Sequence, residues 1–278
     1  MKLNEFYLAR NPPIVTDRLS YDRMLDELMH SGVGDLIVTD ENGTYRGLLR
    51  CTTLMRQASE EHWELLLDKN APAFKLGDNL KSVLRKIIEH RMSSAAVVDE
   101  NNKVIGGITD WELLAKVILR LTTKVTVEDL AEVEPFSTIW WGTPLYLAKR
   151  IMDIDKSTCA ILIDEHGKLA GTLDYPAILR GSERVTVEKT SSLIGPSGDV
   201  GGWDPDSIFY ITKKVLTPSN KPCKEFMYPL LTCYQESSVQ ECAKNMLIKR
   251  VPAIVVIDYN ENPVGVLRKR TLLRAALS

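Results

Sequence analysis

Apolar residues recur at helical spacing in three stretches of the chain and predict one-faced helices. Each stripe has five members at positions i, i+3, i+4, i+7 and i+8. The stripes are Tyr21, Met24, Leu25, Leu28 and Met29; Leu80, Val83, Leu84, Ile87 and Ile88; and Val239, Cys242, Ala243, Met246 and Leu247, preceded by the capping residues Ser20, Asn79 and Ser238. A fourth, weaker stripe starts at Leu145, because Lys149 and Asp153 occupy two of its five positions.

A short apolar run follows each helix and predicts a buried strand, since the runs are too short for helices. An aspartate closes each run nineteen residues after the helix start, and a glycine follows seven residues later. The aspartates are Asp40, Asp99, Asp164 and Asp258, and the glycines are Gly47, Gly106, Gly171 and Gly265. Turn-forming residues lie between each aspartate and its glycine, so we expect a second strand that reaches the glycine. The predicted unit has the order β-α-β-β-α and occurs four times. One copy of roughly 60 residues would bury too little surface to be stable alone.

Composition narrows the class of protein. The chain has 278 residues, 44% of them hydrophobic, and 35 basic against 37 acidic residues, which is typical of a globular protein of about two domains. A net charge of −2 supplies no overall field for a nucleic acid, so we do not expect nucleic-acid binding. No apolar run approaches the ~18 residues of a membrane span, and we expect a cytoplasmic protein without a membrane segment.

Cysteines and histidines give no sign of a metal centre. The five cysteines are an odd number without C-x-x-C spacing, which favours reduced thiols over a disulfide framework or zinc site. The four histidines are scattered, and no nucleophile–base arrangement is evident. The sequence therefore predicts no metal, no required cofactor and no enzyme activity.

The repeated order of apolar strand, aspartate, turn, glycine and helix resembles the cystathionine β-synthase (CBS) domain. The resemblance covers nearly the whole chain, and the lead-ins Val127–Leu130 and Cys223–Met227 resemble the short helix that often precedes such a repeat. It implies an α/β (α+β) fold of four repeats in two Bateman modules, similar in architecture to the regulatory subunit of AMP-activated protein kinase. The expected repeats are residues 1–60, 61–122, 123–180 and 223–278, with an inserted arm at 181–222.

The resemblance implies a ligand site at the start of the second helix of a repeat. The family pattern there is glycine, two apolar residues, Thr or Ser, two free positions and Asp, and it is kept best from Gly106 to Glu112. Thr109 would contact phosphate, and Glu112, one methylene longer than Asp, would contact the ribose. Thr109 and Glu112 also form a capping box, in which they would satisfy the helix's own N–H groups, and both interpretations stay open.

Further ligand contacts follow from the resemblance alone. It places Ser93 and Ser94 near the phosphates and Ala73 and Phe74 beside the adenine, while the small Ala95 lets a planar base approach the backbone. Asp110, next to Thr109, is a further expected ligand contact. The other three repeats depart from the pattern, with Arg50 and Thr53, Asp174 and Ala177, and Arg268 and Thr271 at the two polar positions. Arg50 and Arg268 could contact phosphate from a neighbouring repeat or could be solvated or ion-paired.

About thirty extra residues lie between the third and fourth repeats. Val185 and Val187, then Ile208 to Ile211, predict two strands of a β-hairpin arm around a glycine-rich tip at residues 195–202. The tip has no Gly-Lys-Ser/Thr ending, which favours a connector over a phosphate-binding loop, with a lid or docking surface as the alternative.

The function implied by the resemblance is regulatory and not catalytic. The protein would bind an adenosine-containing ligand (AMP, ADP, ATP or S-adenosylmethionine) and signal to an unidentified protein partner, and a homodimer stays open. The alternative is an interaction scaffold with degenerate nucleotide sites, favoured by the three departures from the pattern.

Overall fold

A computed structural model of the chain shows the predicted α/β fold, a mixture of short helices and small sheets. The structure describes residues 1–57, 60–122, 124–130, 134, 136–192 and 208–277.

The first two repeats have the predicted order of elements. Repeat 1 contains strand β1 (Ile14–Thr16), helix α1 (Tyr21–His30), strands β2 (Asp35–Thr39) and β3 (Tyr45–Arg50) and helix α2 (Cys51–Gln57). Repeat 2 contains α3 (Leu80–Glu89), β4 (Ser94–Val98), β5 (Val104–Thr109) and α4 (Asp110–Lys116), and Phe74 takes the place of a first strand by a parallel bridge to Val97. Ser20 and Asn79 cap the first helices as predicted, because each side chain accepts from a backbone N–H three residues on.

The last two repeats follow the same order. Repeat 3 contains β6 (Ser137–Trp140), α5 (Leu145–Ile154), β7 (Cys159–Ile163), β8 (Leu169–Asp174) and α6 (Tyr175–Arg180). The arm strands β9 (Ser182–Ser192) and β10 (Ile208–Pro218) and strand β11 (Tyr228–Pro229) follow. Repeat 4 contains β12 (Thr232–Cys233), α7 (Val239–Lys249), β13 (Ala253–Ile257), β14 (Pro263–Arg268) and α8 (Lys269–Leu273). The lead-ins contain the expected short 3-10 helices at Glu128–Leu130 and Cys223–Glu225.

The repeated aspartates hold the turns between the two strands of each repeat. In repeat 1, one carboxylate oxygen of Asp40 accepts from the backbone N–H groups of Asn42 and Thr44, at 2.9 and 2.8 Å. The other three aspartates make the same pair of bonds to residues two and four positions on. These bonds favour the ionised carboxylate and lower the pKa of Asp40, Asp164 and Asp258. The aspartates therefore have a structural role in the turn.

The repeated glycines let a neighbouring segment pass directly over the second strand. A Cβ at Gly47 would lie 2.8 Å from the carbonyl oxygen of Asp68, and Gly47 also has a φ of 142°. A Cβ at Gly171 would collide with the carbonyl oxygen of Tyr228. In both cases the crossing segment is the lead-in to the next repeat, so the glycine is required by packing.

Contacts between their strands and turns hold repeats 1 and 2 together, and likewise repeats 3 and 4. Tyr45 N–H donates to Asn102 and Val104 N–H donates to Gly43, joining the two turns of the first pair. A small core that includes Ile161 from β7 and Val255 from β13 joins the second pair. These contacts support the predicted grouping of the repeats into two modules, whose boundaries stay a prediction.

The two largest cores cross from one module to the other. One core combines apolar residues of repeats 2 and 4, where α4 packs against α7 and α8. The other combines repeats 1 and 3, where α2 packs against α6. The second helices of all four repeats therefore meet in the middle of the molecule, with their first residues close together.

The weak stripe of the third repeat has a structural explanation. Asp153, on α5, accepts from Lys149, from Arg56 of repeat 1 and from the hydroxyl of Tyr175, at 2.7, 3.3 and 2.6 Å. Arg56 also donates to the Tyr175 hydroxyl at 3.1 Å. The two polar residues thus belong to a network that links α5 to α2 across the modules.

The two arm strands form a separate two-stranded antiparallel sheet, in which Ser182 pairs with Pro218 and Ser192 with Ile208. Arg184 ties the base of this sheet to Asp22 and Asp26 of α1. The predicted glycine-rich tip falls on residues 193–207, which lie outside the described residues. Across the described ranges, no helix has the length and hydropathy needed to cross a membrane.

Candidate functional site

The central cavity lies where the second helices of the four repeats meet. Its volume is about 530 Å³, within the usual range for small-molecule sites. Every repeat contributes to its wall, for example through Asp35, Ser93, Asp174 and Arg268. Because the wall is built from residues far apart in the sequence, only the folded pair of modules forms it.

The wall of the central cavity is rich in positive charge. The described residues that line it include eight lysines and arginines against four aspartates and glutamates. The basic residues are Arg50, Arg56, Arg91, Arg180, Arg250, Arg268, Lys269 and Arg270. A recess lined by such a cluster attracts anions, and phosphate above all when the cations are guanidinium groups.

Buried ion pairs cross the cavity wall between repeats. Lys269 Nζ lies 2.9 Å from Asp110 Oδ1, and both side chains are buried. Arg268 lies 3.5 Å from Asp174, and although burial disfavours its charge, attraction by Asp174 raises the pKa of Arg268. Burial, and then repulsion by Arg268, lower the pKa of Arg270. Arg268, Lys269 and Arg270 therefore each have a carboxylate partner, and the two neighbouring arginines repel each other.

Three arginines of the wall have no acidic partner in the part of the chain that the structure describes. Among the described residues, no carboxylate lies within ion-pair distance of Arg91, Arg180 or Arg250. Arg180 donates to the hydroxyl of Tyr228 at 2.9 Å, and Arg250 lies over the ring of Trp111, 5.9 Å from its centroid. These three guanidinium groups are available to an anionic ligand.

Arg91 and Arg250 occupy the same position in their repeats, directly after the first helix. Both have a left-handed backbone, with φ of 51° and 55°. Gly32 and Lys156 are at the equivalent positions of repeats 1 and 3, with φ of 65° and 56°. A left-handed backbone is unusual for arginine, whereas glycine adopts it without strain. Residues held in such conformations are concentrated at functional sites. Sequence analysis missed both arginines, although aligning the four helix ends would have revealed them.

Asp35 is a buried carboxylate in the wall, at the first position of β2. The backbone N–H of Ser93 donates to it at 2.6 Å, and the hydroxyl of Ser94 donates to its carbonyl oxygen at 3.0 Å. Burial raises the pKa of Asp35, although the nearby Arg50 opposes that shift. The predicted residues Ser93 and Ser94 are thus next to the cavity, with Ser93 in its wall and Ser94 buried behind it.

Thr109 and Glu112 lie at the start of α4, outside the residues that line the cavity. The hydroxyl of Thr109 accepts from the N–H of Glu112 at 3.3 Å, which is the capping bond that the sequence allowed. The carboxylate of Glu112 pairs instead with Lys116 at 2.5 Å. The N-terminal segment covers this helix start, because Lys116 also donates to the carbonyl of Leu8.

The next residue after Thr109 faces the cavity. Asp110 lines the wall, and no described group makes a hydrogen bond to its buried Oδ1, although Lys269 is close. Trp111 also lines the cavity, with Lys269 Nζ 4.0 Å from its ring centroid and its indole N–H bonded to the carbonyl of Gly32. Of the predicted residues on α4, Asp110 is therefore the one placed to reach a ligand in the cavity.

Ala95, Ala73 and Phe74 lie away from the cavity wall. Ala95 is buried in β4, next to Ser94. Phe74 is buried and pairs with Val97, whereas Thr109 pairs with Ser94 three residues along the same strand. That separation is about 10 Å along the strand, and the placement of Phe74 beside an adenine stays a prediction.

Polar residues near the start of the second helices in repeats 1 and 4 already bind other groups of the protein. Arg50 lines the cavity while it binds Asp68 at 2.7 Å, and Arg268 donates to the carbonyl of Thr158 at 2.9 Å. The hydroxyl of Thr271 donates to Glu134 at 3.0 Å. Both predicted phosphate contacts therefore reach the cavity, and each already makes several bonds to the protein. Among the described residues, no cluster of histidine, cysteine or carboxylate groups has the arrangement of a metal site.

Comparison with known proteins identifies the family. The model of the CBS domain matches residues 64–119 and 223–278, which contain repeats 2 and 4. Repeats 1 and 3 have the same order of elements. Residues 64–119 and 223–278 are therefore CBS domains, as the sequence resemblance predicted. CBS domains are generally regulatory modules without catalytic activity.

Curated relatives match only part of the chain. An uncharacterised protein of Helicobacter pylori strain 26695 is 25% identical over 116 residues, which are 42% of this chain and 35% of the relative. A second strain of that species has a protein 24% identical over the same length. The chain thus spans about a third of the length of the curated relatives it matches.

Two solved structures share the fold over the full length. A Methanocaldococcus jannaschii protein, described as a proposed archaeal homologue of g-AMPK, is 14% identical with a TM-score of 0.72, covering 99% of both chains. A conserved uncharacterised protein of Pyrococcus horikoshii is 20% identical with a TM-score of 0.62, covering 99% of this chain and 100% of its own. At these identities the likeness establishes the fold.

Proposed function

We propose that the protein is a regulatory subunit that binds a phosphate-bearing adenosine nucleotide in the central cavity and passes a change of shape to a protein partner. The observation that carries the proposal is the cluster of eight basic side chains in one recess, three of them without a carboxylate partner among the described residues. Phosphate groups would neutralise these cations, and guanidinium groups suit phosphate geometry.

The charges of the cavity discriminate among the adenosine ligands. AMP, ADP and ATP carry negative charge, whereas the sulfonium group of S-adenosylmethionine is positive and would meet the basic wall. The carboxylate of Asp110 lines the cavity beside Lys269 and could accept from a hydroxyl group such as those of ribose. We therefore rank the phosphorylated nucleotides above S-adenosylmethionine.

Thermal unfolding with each nucleotide tests this proposal. A ligand at a hundred times its dissociation constant adds about 2.7 kcal/mol of stability, which shifts the melting temperature measurably. We expect shifts with AMP, ADP or ATP and smaller ones with S-adenosylmethionine. The absence of a shift with every adenosine ligand would contradict nucleotide binding.

Matched variants test the placement of the phosphates. Arg91→Ala and Arg250→Ala should each weaken nucleotide binding roughly 10- to 100-fold in calorimetry, because each removes a charged contact of about 1.5–3 kcal/mol. Lys156→Ala is the control, since Lys156 has the same left-handed backbone but does not line the cavity. Equal losses in all three variants would remove the cavity assignment.

A scaffold without a nucleotide is the second candidate function. It is favoured by the contacts that already occupy the predicted ligand groups, with Glu112 bound to Lys116 and Thr271 bound to Glu134. In that case the buried charges only hold the modules together. The thermal-shift experiment separates the two candidates, because a scaffold would bind no adenosine ligand.

A further inference from the structure

Two positions face each other in every repeat, one in the first strand and one in the first helix. The strand position lies five residues before the helix cap, and the helix position lies four residues after it. In repeats 1 to 3 both positions are apolar and buried, and the pairs are Val15 with Met24, Phe74 with Val83, and Ile139 with Ala148. Each pair belongs to a single core. In repeat 4 the two positions are Cys233 and Cys242.

The strand register shows that these positions are equivalent. Cys233 pairs with Val256 in a parallel arrangement, two residues before the turn aspartate of its repeat. Val15, Phe74 and Ile139 pair with the corresponding strand residues of their own repeats, Val38, Val97 and Leu162. Cys242 is on the buried face of α7, and Cys233 packs against the same core. The repeat geometry therefore directs both thiols into one space between strand and helix.

The side chains of Cys233 and Cys242 pack in the same core, and their interaction lowers the pKa of Cys242 and raises that of Cys233. Cys242 is 2% exposed, but Cys233 is half-buried, unlike the buried residues at its position in the other repeats. An oxidant can therefore reach one member of the pair from solvent.

We propose that Cys233 and Cys242 are a redox modification site that closes to a reversible disulfide between β12 and α7. With hydrogen peroxide as oxidant, one of the two sulfurs takes one peroxide oxygen to become a sulfenic acid and releases one water. The other sulfur then attacks the sulfenic acid sulfur, the S–O bond breaks, and a second water leaves. Two electrons pass from the thiols to the peroxide, and a thiol reductant reverses the step.

The disulfide would fix the lead-in strand of repeat 4 to its first helix. The helix ends at Lys249, and Arg250, directly after it, lines the central cavity. Oxidation would thus stiffen the element that presents one of the unpaired arginines. The modification itself does not depend on the identity of the cavity's ligand.

Peptide mass mapping of the full-length protein tests the disulfide. The reduced protein is treated with hydrogen peroxide, its remaining thiols are alkylated, and it is digested after lysine, arginine and glutamate without reductant. We expect a peptide pair joined through Cys233 and Cys242, two hydrogens lighter than the separate peptides, that disappears with dithiothreitol. Cys51, Cys159 and Cys223 are buried and should remain alkylatable only after unfolding.

Two variants check the assignment. Cys233→Val and Cys242→Ala restore the apolar pairing of the other repeats, so each should fold and lack the joined peptides. Recovery of Cys233 and Cys242 as free thiols after oxidation of the wild-type protein would overturn the proposal. So would a product in which Cys233 links two molecules while Cys242 stays reduced.

Discussion

Buried charge is the dominant feature at the scale of single residues. Asp35 has a raised pKa, caused by burial in the cavity wall. Its folded state therefore binds the proton more tightly than the unfolded state does, and the stability that Asp35 contributes is present at low pH and lost as pH rises through the folded pKa.

Asp35→Asn should remove this pH dependence while keeping an acceptor for the Ser93 N–H. The melting temperature of the variant relative to wild type should rise between about pH 4 and pH 7, because only the wild-type protein gains a buried charge over that range. Urea or thermal denaturation at a series of pH values measures the difference. A difference that stays constant with pH would show that Asp35 has no raised pKa.

Candidate site residues were only partly predictable at this scale. Asp110, Ser93, Arg50 and Arg268 do line the cavity. The family pattern drew attention to Thr109 and Glu112, whose contacts lie outside the cavity wall. Arg91, Arg250 and Lys269 carry no local motif, so their place in the wall depends on how distant helix ends come together. Which of them bind a ligand stays a prediction.

At the scale of elements, close backbone approaches explain two of the repeated glycines, Gly47 and Gly171. Gly171→Ala would place a Cβ against the Tyr228 carbonyl oxygen, where backbone on both sides must move. We expect a loss of about 1–3 kcal/mol in the free energy of unfolding, measured in urea. Gly34→Ala is the control, because its Cβ would meet only the movable hydroxyl of Ser93. An equal loss in both variants would argue against this explanation.

The polar network on α5 gives a second prediction for an element. Tyr175→Phe removes the hydroxyl that binds both Asp153 and Arg56, so groups near the module interface lose a partner. The free energy of unfolding should fall by about 1–3 kcal/mol. Denaturation in urea measures this, and a neutral result would show that water replaces the hydroxyl. The sequence showed only an interrupted apolar stripe on α5, because Arg56, one partner of Asp153, lies in another repeat.

At the scale of the whole molecule, the cores join the modules. Helix caps, turns and strand order were predictable because they depend on neighbours in sequence. The packing of repeat 2 on repeat 4, and of repeat 1 on repeat 3, was not, since all four repeats present similar apolar faces. The arm strands were predicted, and the role of residues 181–222 stays a prediction.

A fragment of residues 1–122 should fold as a pair of repeats, as the sequence predicted, but it would uncover the helix faces that α6 and α8 normally cover. We expect two copies to associate through these faces, because exposed apolar surface of that kind drives assembly. Light scattering with size-exclusion chromatography measures the mass. A folded fragment that stays monomeric at high concentration would contradict the structural role of the shared cores.

The central claim is that the cavity between the modules holds the phosphates of an adenosine nucleotide. The most direct measurement is a crystal structure of the full-length chain soaked with AMP or ATP. The account predicts phosphate density within hydrogen-bonding distance of Arg91 or Arg250 inside the cavity. Density for the nucleotide only at Thr109 and Glu112 beneath the N-terminal segment, or no density at saturating nucleotide, would contradict it.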